Sequence, residues 1–139
     1  LAAYAKIDES EAPLIRISVV GPPDDENYPQ YLAGMENAFR RQDQFGLVFD
    51  SGALGNLPAR YRELQSAWLA RTEGEFSGRW VCAAFVIQNR MIRGVLMTLF
   101  WINRPYYQHL VTSNVADAEE WARARLLERG ALPKDASNG

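Results

Sequence analysis

Along residues 14–20, "LIRISVV", Ile15, Ile17 and Val19 fall on one side and Arg16 and Ser18 on the other, the period of two that a half-buried strand requires. Gly21, Pro22 and Pro23 end that run. Just upstream, residues 4–8 of "AYAKID" read as a shorter strand joined to it through "ESEAP" as a hairpin. From Pro29 the period changes. Leu32, Met35, Ala38 and Phe39 recur at helical spacing with Glu36, Arg40 and Arg41 outside, which predicts a helix over 29–42. "FGLVF", residues 45–49, is apolar on both sides, the pattern of a central strand covered on both faces. Pro58 then opens a second helix with a stripe of Tyr61, Leu64, Ala67 and Trp68, while Arg60, Arg62, Glu63 and Gln65 face away and Gly74 and Gly78 break the pattern.

"WVCAAFVI", residues 80–87, again lacks alternation and reads as a buried strand. "NRMIRGVLMTLFWINRP" exceeds strand length and predicts a third helix closed by Pro105, because the residue before a proline resists helical geometry. "YQHLVT", residues 107–112, is the last strand. Asn114, with Asp117 three residues on, makes a capping arrangement for a fourth helix over 115–129. Ala118, Trp121, Ala122 and Leu126 face inward there, with Trp121 expected to be a buried anchor. Acids fill its first turns and Arg123, Arg125 and Arg129 its end, as the helix dipole favours; Gly130 stops it, and 131–139 read as a frayed tail. Strand and helix alternate four times, so the expected fold is α/β: one domain over 1–139 with a mixed, largely parallel sheet of four to five strands and right-handed crossovers.

Bulk properties narrow the function. With 47% hydrophobic and 23% charged residues in 139, the chain has the composition of a packed globular domain. Its 15 Lys+Arg are scattered against 17 Asp+Glu, which leaves no electrostatic footprint for nucleic acid. Cys82 is the only cysteine and reads as a small buried hydrophobe; His109 is the only histidine, so no multi-histidine metal site can form. Asp24, Asp25 and Glu26 in "GPPDDEN" could offer oxygens to a hard cation, but consecutive acids at a helix approach more commonly serve the dipole and solubility. Gly46, Gly52 and Gly55 reproduce neither a phosphate loop nor a dinucleotide fingerprint, and no cofactor is expected. The longest apolar run, "GVLMTLFWI", is too short to span a bilayer, and with no secretory signal at the start a cytoplasmic protein without stable membrane insertion is expected. The first residue is Leu, which suggests a trimmed or engineered start and leaves open whether a segment precedes it.

The third helix carries more apolar surface than one face can bury: Val95, Leu96, Met97, Leu99, Phe100, Trp101 and Ile102, interrupted only by Thr98 before Asn103. Three fates are open. It packs under the N-terminal hairpin or the connection "TEGEFSGRW", it forms a homodimer, or it lines a ligand groove; Leu96, Leu99, Phe100 and Trp101 are the candidate interface or groove residues.

The "LVFD" strand before a long helix, the apolar "CAAFVI" strand and the ending "HLVTSNVADAEEWARARL" together resemble the SpoIIAA-like group of the STAS/SEC14-like domains. Ala118 and Trp121 match the alanine and tryptophan of that group's last helix. The resemblance spans roughly residues 14–129. It implies a small α/β domain without a cofactor that acts by protein–protein binding, with an apolar small molecule or lipid as the alternative ligand. An enzyme is the least favoured reading, because only Cys82, His109 and dispersed carboxylates are available for chemistry. Asp50, Ser51 and Gly52 look like the phosphorylated Asp-Ser motif of such antagonists, which makes Ser51 the candidate phosphosite. Their register differs, because Asp50 follows the strand directly, so both side chains are expected to shape the turn by bonding local amides.

Overall fold

In a computed structural model that describes residues 2–52 and 57–132, five strands and four helices alternate. They run β1 (Ala5–Asp8), β2 (Leu14–Val19), α1 (Asn27–Arg40), β3 (Phe45–Asp50), α2 (Ala59–Phe76), β4 (Trp80–Val86), α3 (Arg90–Ile102), β5 (Gln108–Thr112) and α4 (Val115–Glu128). The sheet has the order β1-β2-β3-β4-β5, antiparallel only between β1 and β2. The predicted N-terminal hairpin is therefore present, and the α/β class and mixed, mostly parallel sheet are as the sequence pattern requires.

Because each parallel step from β2 to β5 moves the same way across the sheet, crossovers of one hand put all three connecting helices on one face. That face holds the larger core. Ile15, Ile17, Phe45, Leu47 and Ala83 from the strands meet Tyr28, Leu32, Met35 and Phe39 of α1 and Tyr61, Trp68 and Phe76 of α2. Phe39 stacks on Phe45 at 4.1 Å between centroids and also touches the rings of Trp68, Phe76 and Trp80. Among the described residues the opposite face is covered by α4, whose Ala118, Ala122 and Leu126 pack on Leu14, Val48, Cys82, Ala84 and Val86. The apolar two-sidedness of β3 and β4 thus has its cause: alternate side chains enter two different cores. Gly46 lets α4 approach, since a Cβ there would lie 2.9 Å from the Cys82 sulfur and 3.1 Å from Leu126.

Several details depart from the sequence pattern. Glu36, expected outside, is only 9% exposed. Its carboxylate accepts from the Trp68 indole at 2.9 Å and from Arg71 at 2.7 Å, and it pairs with Arg40. These donors, Arg71 first, hold its pKa below the usual glutamate value. In α2 the buried stripe is Tyr61, Trp68, Thr72 and Phe76, with Leu64 exposed, and the helix runs through Gly74 instead of breaking there. The segment read as a long connection, "TEGEFSGRW", is mostly the last turn of α2 and the start of β4. Trp121 is half-buried, with Arg125 over its ring, so it borders the α4 core without anchoring it. At the start of the tail, Ala131 donates to the Leu126 carbonyl and packs with Leu132 against the α4 core.

Candidate functional site

The turn after β3 was one sequence candidate. Ser51 Oγ donates to the Val86 carbonyl at 2.9 Å and its amide donates to the same oxygen at 3.1 Å, so the residue ties the end of β3 to β4. Asp50 accepts from the Gly52 amide at 2.9 Å, and Gly52 holds a φ of 61°, the left-handed region that favours glycine. Asp50 bonds a local amide as expected, whereas Ser51 bonds a neighbouring strand. Residues 53–56 of the same turn, Gly55 among them, lie outside the described residues.

Two of the three acids of "GPPDDEN", Asp24 and Asp25, are tied to helix starts. Asp24 Oδ1 accepts from the amides of Glu26 and Asn27 at the head of α1. Asp25 accepts from the Tyr61 hydroxyl at 2.8 Å and from Arg60 at 3.2 Å at the head of α2. Among the described residues no three His, Cys, Asp or Glu side chains cluster as a metal would need. Cys82 is buried, and burial pushes its thiol up to about 12, with its sulfur 3.7 Å from the Ala122 carbonyl. It is a packing residue of the α4 core.

The remaining candidate is the α3 surface. Asn89 caps this helix by accepting from the Met91 and Ile92 amides, so its start is fixed locally. Its far face is not covered. No residue of α3 is buried; Met91 and Trp101 are each 80% exposed and Ile102 64%, with Val95, Met97 and Leu99 about half exposed. Only Ile92, Arg93, Leu96 and Phe100 turn toward the protein, and Phe100 supplies the aromatic contact, 5.2 Å from Phe85 and 4.5 Å from His109. Packing under the N-terminal hairpin is excluded, because β1 is at the opposite edge of the sheet from β5.

Beside the helix runs a groove of about 570 Å³, lined by Met97, Phe100 and Trp101 from α3 and by the continuous stretch Arg104 to Val111. Of the four candidate residues, Phe100 and Trp101 line it, Leu99 projects to solvent and Leu96 faces the sheet without reaching the groove. Sequence reasoning missed Met97 as a wall and missed the contribution of β5 with Tyr106, Tyr107 and His109. The available signal was that a last strand followed only by a helix can end a sheet, leaving an open edge. Tyr107 stacks on Trp80 at 4.2 Å, and Tyr106 meets the same indole edge-on at 5.8 Å. The Tyr106 hydroxyl is buried without a hydrogen-bond partner among the described residues; burial, then the Glu73 charge, pushes its pKa up to about 12. Desolvation, then the Arg104 charge, lowers the His109 pKa, so the imidazole is neutral at pH 7.

No protein-family model and no curated protein matches the chain. Among solved structures it is similar to an uncharacterized protein of the DUF3478 family with a SpoIIAA-like fold from Shewanella loihica PV-4. The two superpose with a TM-score of 0.60 over 85% of this chain and 91% of that one, at 15% identity. The fold implied by the sequence resemblance, SpoIIAA-like, is therefore the fold of this chain.

Proposed function

We propose that this SpoIIAA-like domain is a noncatalytic regulatory module that works by binding another protein through α3 and the β5 edge. The observation that carries the reading is the helix itself: nine apolar residues among 13, none of them buried. Unclaimed apolar surface of that size, with Met, Phe and Trp at its centre, is the composition of a protein interface. The available nucleophile and imidazole favour binding over chemistry. Cys82 sits in the core with its thiol protonated at any physiological pH, and His109 is pressed against Phe100.

The test is photo-crosslinking in the native cells with a photoreactive amino acid at position 101 and, as control, at position 123 on α4. A protein adduct from 101 alone supports the reading; equal labelling from both positions, or none from 101, overturns it. Sedimentation of the purified chain at micromolar concentrations separates a second copy from a different partner.

The groove supports a second reading, an apolar small molecule or lipid held between Phe100, Trp101 and Tyr107. Native mass spectrometry of the protein purified from its own cells distinguishes it: a stoichiometric small-molecule adduct lost on Phe100→Glu favours the ligand, and the bare chain mass removes it.

A further inference from the structure

The groove follows the margin of a strand. A pocket on a sheet face is lined by alternate residues, since successive side chains point to opposite sides. Here Gln108, His109, Leu110 and Val111 all contribute, so the groove runs along the open edge of β5. Thr112 fixes which backbone groups face it. Its carbonyl accepts at 2.8 Å from the amide of Ile87, the residue just after β4, and by alternation Gln108 and Leu110 also bond inward. The N–H and C=O of His109 and Val111 then point outward. β5 has neither a charged residue nor a proline, the usual guards of an edge, whereas β1 at the other edge carries Lys6 and Asp8.

The charge around this edge is one-sided. The chain has 17 acidic residues, yet none lies between positions 76 and 116, a span that contains Arg79, Arg90, Arg93 and Arg104. Arg104 lines the groove, and among the described residues neither it nor Arg90 forms an ion pair. Arginines of the bordering segments flank an apolar wall of Met97, Phe100 and Trp101.

We propose that the groove receives an extended acidic–apolar peptide segment of a partner protein, which adds to β5 as a sixth strand. This rests on the protein-binding reading above and names the class of partner. The segment's main chain bonds His109 and Val111, its apolar side chains lie on Phe100, Trp101 and Met97, and its carboxylates meet Arg104. A polypeptide satisfies an open strand edge in a way that a lipid headgroup or an apolar small molecule cannot, because only a polypeptide presents donors and acceptors at the spacing of a β ladder.

The experiment is selection of a random phage-displayed dodecapeptide library on the full chain, followed by calorimetric titration of the best synthetic peptide. The expected peptides are rich in β-branched or aromatic residues and in Asp or Glu. Their affinity falls by about tenfold or more with Arg104→Glu and weakens with added salt. N-methylation of alternate peptide amides, which leaves the protein untouched, abolishes binding. So does Val111→Pro, at a position where an edge strand tolerates loss of an outward N–H. No enrichment, enrichment of acid-free peptides, or equal binding after N-methylation overturns the proposal. Binding to phosphatidylglycerol vesicles or self-association through this face, with no peptide selected, does so as well. A protein crosslink from position 101 alongside an empty selection leaves the broader function standing and removes only the strand-addition mode.

Discussion

Helices α2 and α3 are both crossover connections on the same face of the sheet, yet the less apolar of the two is the buried one. α2 has eight apolar residues in 18 and buries Tyr61, Trp68, Thr72 and Phe76; α3 has nine in 13 and buries none. The difference is position. α2 lies beside α1 over the middle of the sheet, where Phe39, Trp68, Phe76 and Trp80 close on one another, whereas α3 stands at the β5 edge with protein on one side only. Composition sets how much surface a helix would bury, and the place of its strands in the sheet order decides whether anything is there to bury it against.

The sharpest break of that contrast is a matched pair of truncations. Trp68→Ala should cost about 3–5 kcal/mol, because it empties a buried indole site and removes a hydrogen-bond donor from Glu36. Phe100→Ala, at the half-buried contact of α3, should cost about 1–2 kcal/mol, below the full-burial range. Urea unfolding midpoints with unchanged slopes measure both. Equal losses would mean that α3 is as much a part of the core as α2.

A smaller effect probes the α3 side of that contrast by pH. Because the folded-state pKa of His109 is lowered, the unfolded chain binds more protons once pH drops below about 6.5. The contribution of His109 is therefore fully present above that value and is lost as pH falls from there through the lowered folded-state pKa. His109→Gln should remove this part of the pH dependence between pH 7 and 5, and a variant that titrates like the wild type would remove His109 from the account.

The smallest expected change is Trp101→Ser, within about 0.5 kcal/mol of wild type, since that indole is 80% exposed. A large destabilisation would show that α3 depends on Trp101 for folding, which would undercut its assignment to an interaction surface.

The sequence by itself determined the elements and their class. Period-two and period-3.6 patterns, two short runs apolar on both sides and one apolar run too long for a strand placed the five strands and four helices to within a few residues, and Asn114 and Asn89 sit at helix starts where their side chains accept amide hydrogens. Those signals are local, carried by residues within one turn or one strand. Tertiary structure alone decided that Glu36 is buried, because its donors Trp68 and Arg71 are more than 30 positions away and become neighbours only when α1 and α2 pack side by side. It likewise decided that Trp121 is only half covered, since a stripe specifies the direction of a side chain and not how far the partner surface extends. The groove needed the most. Phe100 and Trp101 announce apolar surplus in one dimension, but that β5 is the last strand of the sheet among the described residues, and so leaves the backbone groups of His109 and Val111 without a strand partner there, follows from the strand order, which no local pattern encodes.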